Sequence, residues 1–146
     1  MKMKNYIAIS CLVSLIGCNL LGVDETTTQP TQAQIARCRA EMYLQNNLVL
    51  QAHGIKLLGS GIDDTIWLKF SCKVTDPAQI FQTEVVDVSK FYSGFTIDET
   101  TDAPWWNAEG RNLSGGHIAL PKARFMDVGI DATDTKSVVY IKWNET

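Results

Sequence analysis

An α+β fold, an antiparallel sheet with one long N-terminal helix packed on one face and a second short helix, is what the sequence predicts from three observations. Apolar residues recur at three-four spacing between Ile35 and Ala52. TIWLKFSCKV (65–74) alternates apolar and polar residues almost without a break, and two more alternating runs close the chain on either side of DATDTK.

The 146-residue chain begins MKMKN and continues YIAISCLVSLIG, a basic start followed by an uncharged run of the secretory-signal type. The run from Tyr6 to Gly17 is shorter than the roughly 20 residues a membrane-spanning helix needs. It stops at Leu15-Ile16-Gly17-Cys18, with a thiol where an ordinary signal has a small-x-small cleavage site. The plainer alternatives are an ordinary secretion signal, or a core strand holding Cys11 and Cys18 by chance. Asn19 to Pro30, NLLGVDETTTQP, is polar and Thr-rich and reads as a flexible tether reaching about 40 Å at most. The organisation is therefore a signal over 1–17, a tether over 18–30 that starts with Cys18, and one globular domain over 31–146.

Thr31 is the expected N-cap of a helix from about Gln32 to His53, with Ile35, Cys38, Met42, Val49 and Ala52 on one face and Gly54 as its stop. Ile55–Leu58 is a possible short strand. In the strand that follows, Ile66, Leu68, Phe70, Cys72 and Val74 face one way, and Thr65, Trp67, Lys69, Ser71 and Lys73 the other. Asp76-Pro77 opens a short helix to about Glu84, whose Ile80 and Phe81 can dock on the same sheet. KFYSGFTI could form a strand kinked at Gly94. Residues 98–116 show no periodicity. GHIALPKARFMDVGID and SVVYIKWN then read as the two strands of a closing hairpin, with Pro121 confining the first to an edge or a break.

Loss of Lys2 and Lys4 with the signal takes the formal charge from −3 to −5, which argues against nucleic acid or an anionic lipid surface as the main partner. The mature chain keeps Cys38 and Cys72. An oxidising envelope favours a disulfide between them, from the helix face to the buried face of the strand; two buried free thiols are the alternative.

Catalytic motifs are scarce. No GxSxG, HExxH or phosphate-cradling glycine loop is present. His53 reads as a helix C-terminal residue near exposed carbonyls. His117 follows a loop carrying Asp98, Glu99, Asp102 and Glu109, a set that could hold a hard cation but matches no known ligand spacing. The sequence thus calls for no cofactor and no metal. The better binding candidate is Pro104-Trp105-Trp106: long irregular loops are often functional, and paired indoles offer apolar area with a donor. The plain alternative seats one Trp on the core and the other at its rim. Trp67 and Tyr140, on the polar side of their strands, could extend the same recognition patch.

LIGC, Leu15 to Cys18, resembles the lipobox of bacterial lipoproteins. With the Thr-rich tether and the length, the whole chain is similar to small prophage-associated enterobacterial lipoproteins of the YafY/YfjS type. The resemblance implies that Cys18 receives diacylglycerol, that cleavage follows Gly17, and that the new amine is acylated with a chain such as palmitate. It implies a permanent membrane anchor, since more than one acyl chain is attached. Asn19 after the lipidated residue implies sorting to the outer membrane, with the domain in the periplasm. The expected function is a non-enzymatic binding or accessory module with an envelope protein partner. A prophage-type immunity or superinfection-exclusion lipoprotein is the second reading, and a hydrolase or metal-dependent enzyme using His117 the third.

Overall fold

A computed structural model describes residues 24–59, 63–97 and 101–146. The signal, Cys11, the lipobox Cys18, the first part of the tether, Asp98 and Glu99 lie outside the described residues.

The core of the molecule is one seven-stranded antiparallel sheet. Its strands are β1 (Asp24–Thr27), β2 (Leu50–Gly59), β3 (Asp64–Cys72), β4 (Tyr92–Phe95), β5 (Leu113–Leu120), β6 (Arg124–Ala132) and β7 (Ser137–Glu145), in the order β1-β2-β3-β7-β6-β5-β4. The helices are short: α1 (Gln32–Glu41), α2 (Pro77–Ile80) and a single 3₁₀ turn at Val88–Lys90. After β3 the chain crosses one face to the far edge, then meanders back through β4, β5 and β6, so that β7 pairs with β3 in the middle.

The long N-terminal helix over Gln32–His53 is not formed. Thr31 does cap α1: its hydroxyl accepts from Gln34 N at 3.2 Å while its own N–H donates to the Gln34 side chain at 2.8 Å. The helix ends at Glu41, and Tyr43 turns into the left-handed region at φ 51°. From there the apolar spacing changes from three-four to two, with Met42 and Leu44 both fully buried. Gln45, Asn46 and Asn47 carry the chain round to β2. Val49, expected on the buried stripe, is 86% exposed. The helical spacing beyond Met42 is therefore coincidental, and the fold is mostly antiparallel sheet.

Three other expectations change. Asp24–Thr27, read as part of the tether, form an edge strand against Ile55–Leu58 of β2. The second helix keeps its Asp76 cap and Pro77 start but stops at Ile80. The single strand read over GHIALPKARFMDVGID is two, β5 and β6, folded at Pro121–Ala123, where Lys122 and Ala123 both have positive φ. Gly115 is required in that pair by close approach, because a Cβ there would lie 1.8 Å from the Val128 carbonyl oxygen.

One face of the sheet carries the main core. Ile66, Leu68, Phe70 and Cys72 of β3, Val139, Ile141 and Trp143 of β7, and Met126, Val128 and Ile130 of β6 meet Cys38 and Met42 of the α1 region, Leu44, and Ile80 and Phe81 of the α2 region. The other face has a smaller aromatic cluster of Trp67, Tyr140, Leu113, Phe95 and Ile97, covered by Ala103, Trp106 and Ala108.

Candidate functional site

The loop expected to bind a partner is spent on the sheet. Trp106 is 7% exposed, standing edge-on to Tyr140 at 5.5 Å and to Trp105 at 6.0 Å. Trp105 lies half-buried over Gly54, where a Cβ would come within 2.2 Å of the indole ring. Lys69 Nζ donates to the Trp105 carbonyl at 3.0 Å and to Asn107 Oδ1 at 2.7 Å, and the Tyr140 hydroxyl donates to the same Asn107 oxygen at 3.0 Å. The Trp pair is thus a plug rather than a free surface. Trp67 and Tyr140 are 7% and 1% exposed, so they add nothing to an open patch.

Cys38 and Cys72 are both buried and both free thiols. The expected disulfide is not formed in this structure. Cys38 lines a small hollow with Ile55 and Ile66, whereas Cys72 ends β3, six residues or about 20 Å along the strand from Ile66. Burial pushes the Cys38 thiol up to about 12, with opposing effects from Arg37 and Glu41 smaller; burial also raises Cys72.

Among the described residues, His117 and the loop carboxylate Asp102 take different partners. Asp102 pairs with Lys56 on β2, which holds its carboxyl below the usual range, while His117 Nδ1 is 2.7 Å from Asp127 Oδ1 on the neighbouring strand. Among the described residues no group of three His, Cys, Asp or Glu could hold a metal ion. A row of directly opposed residues crosses this face: Lys56, Trp67, Lys142, Asp127 and His117, on β2, β3, β7, β6 and β5. Lys56 and Lys142 flank the Trp67 ring at 5.8 and 5.9 Å. The sequence reading did not pair His117 with Asp127; a turn centred on Lys122 within LPKAR would have placed them opposite. Asp127 can orient the imidazole as a base, and the Phe125 ring lies 5.2 Å from it.

His53, expected at a helix end, sits at a bulge in β2, its Nε2 3.1 Å from the Ser71 hydroxyl. Burial lowers its imidazole below the ordinary value, with Lys69 and Lys136 adding to the effect.

A wide concavity lies elsewhere, at the Leu50 end of β2. It is a cleft of about 980 Å³ with Leu48, Val49, Leu50, Cys72, Val74 and Ala78 as its apolar part. Lys73 and Lys136 stand at its polar margin, and no Asp or Glu lines it. One wall is the turn that replaced the long helix, and it is clamped. Arg39 donates to the carbonyls of Gln45 and Leu48, Gln45 Nε2 to the Phe81 carbonyl at 2.9 Å, and Gln82 Nε2 to the Leu44 carbonyl at 2.9 Å. A second hollow of about 380 Å³, lined by Thr28–Pro30, Ile35 and Arg39, shares Leu48, Val49 and Leu50 with the first. Because β1 pairs only with Ile55–Leu58, no strand among the described residues covers the outer side of β2 from Leu50 to Gly54. This arrangement is a concave, largely apolar surface of the kind that binds a ligand.

No family model matches the chain, and no match emerged among curated proteins or solved structures.

Proposed function

We propose that the chain is a lipid-anchored lipoprotein of the bacterial envelope, a non-enzymatic binding module facing the periplasm. The observation that carries this reading is Leu15-Ile16-Gly17-Cys18 at the end of a twelve-residue apolar run behind Lys2 and Lys4. Acylation of Cys18 on more than one position would hold the domain permanently at a membrane, and Asn19 favours the outer one. Among the described residues, no helix is long and apolar enough to cross a membrane.

The binding half of the proposal is supported by the clamped cleft between the turn at Gln45–Val49 and the ends of β2 and β3. With Trp106 buried against the sheet, the cleft rather than the loop is the partner surface in this reading. The test compares wild type with Cys18→Ser for fatty-acid labelling and membrane fractionation. Labelled wild type in the outer-membrane fraction and an unlabelled variant are expected. Unlabelled, freely soluble wild type would refute the anchor and with it the membrane-local role.

A further inference from the structure

We infer that the cleft at the Leu50 end of β2 captures an extended, acidic segment of a periplasmic protein, by strand addition to the open edge of Leu50–Gly54; this rests on the proposed envelope-binding role. The first support is the edge itself. β2 runs from Leu50 to Gly59, yet β1 covers only Ile55–Leu58, so among the described residues no strand pairs with the outer side of its first half, an edge to which a further strand could add. Hollows flank this open edge, and Val49, 86% exposed, projects between them. A strand laid along this edge would run past both hollows, which share Leu48, Val49 and Leu50.

The second support is charge. The chain as a whole is acidic, but the larger cleft carries Lys73 and Lys136 and no carboxylate. Both lysines are exposed, and Lys136 acts on His53 as a nearby positive charge. An acidic side chain or a C-terminal carboxylate beside apolar residues is the complement of that lining, and such charges set partner choice and association rate.

The third support is where the anchor leads in. Cys18 precedes Asp24 by six residues, and Asp24 pairs with Leu58, at the opposite end of β2 from the cleft. Leu50 and Leu58 are about 25 Å apart along the strand. The anchor therefore enters at one end of the sheet and the cleft opens at the other. That geometry favours a soluble protein segment over a lipid of the anchoring membrane.

The test is selection of a random twelve-residue displayed-peptide library on the full chain held in neutral detergent. Binding of the enriched synthetic peptides is then followed by fluorescence polarisation. Expected are peptides with alternating apolar residues and at least one Asp or Glu. Their affinity should fall at least tenfold with Lys73→Glu plus Lys136→Glu and with Val49→Asp, and stay unchanged with Tyr92→Asp at the far edge. Amide exchange at Leu50–Ala52 should slow on binding. All three positions substituted in the cleft are exposed, so the variants should fold, and a thermal melt matching wild type verifies it. Failure to enrich peptides, or peptides whose binding ignores the charge reversals, would overturn the inference. So would a dimer of the wild type that Val49→Asp dissolves, which gives the cleft to a second copy, or binding of a laurate probe that competes with the peptides. Fatty-acid labelling at Cys18 is independent of these outcomes, so the anchored role stands or falls separately.

Discussion

The two faces of the sheet are built on different principles. On the first, β3, β6 and β7 present an apolar layer that includes Ile66, Leu68, Phe70, Val128, Val139 and Ile141, sealed by α1, α2 and the turn between Met42 and Leu48. On the second, Trp67 and Tyr140 lie among Lys56, Lys69 and Lys142, under an irregular loop rather than a helix. The indole N–H groups of Trp67, Trp105 and Trp106 find no acceptor among the described residues. The first face thus gains chiefly from excluding water. The second relies on ring edges, cation contacts and a few loop hydrogen bonds, so it should open first.

Truncation at the centre of each layer tests that ranking. We predict that Phe70→Ala, fully buried on the first face, costs about 3–5 kcal/mol in urea unfolding and lowers the midpoint for every probe together. Trp106→Ala should lie at the low end of that range, about 3 kcal/mol, because the loop can settle into the space left. Trp106→Phe should recover most of the loss, since the indole N–H has no acceptor among the described residues to forfeit. If Trp106→Ala is the costlier of the two, the aromatic face is the primary core and the comparison is reversed.

The dryness of the first face can be read from its thiols. With Cys11→Ser and Cys18→Ser in place, Cys38 and Cys72 are the remaining cysteines. The Cys38 thiol, pushed by burial up to about 12, should alkylate in the folded protein at pH 8 at least tenfold more slowly than an unshifted thiol, the lower thiolate fraction being only partly offset by higher nucleophilicity. Both thiols should react once the chain is unfolded. Two thiols protected even in denaturant would mean a disulfide and a different placement of α1 on the sheet.

What was legible in the sequence follows the same division. Strict alternation in TIWLKFSCKV and SVVYIKWN identifies β3, β7 and their inward residues, and Thr31 with Ile35, Cys38 and Met42 marks the start and buried stripe of α1. The second face was hidden by that same alternation. Lys56, Trp67, Tyr140 and Lys142 lie on the side of their strands that reads as solvent, and what buries them is a loop about thirty residues from β3 and β7 in the chain. The helix end was hidden because Val49 and Ala52 extend the three-four spacing by chance, while the turn at Gln45–Asn47 needs Arg39, Ile80 and Phe81 to hold it. The cleft has no local motif, since its walls come from residues 45–51, 71–79 and 136.

The smallest expected effect concerns the half-wet margin of the second face. His53 meets Ser71 there, and burial, then Lys69, then Lys136, lower its imidazole below 6.5. The unfolded chain therefore takes up this proton at a higher pH than the folded one, and stability from His53 is whole above 6.5 and lost as pH falls through the folded value. Urea midpoints of wild type should drop between pH 7.5 and pH 5 by more than those of His53→Gln, which can keep the Ser71 hydrogen bond but does not titrate. Solvent screening keeps the difference below that of any truncation above. Parallel pH profiles would mean that the cations around Ser71 are fully hydrated, and that the second face is wet at its margin and dry only beneath Trp106.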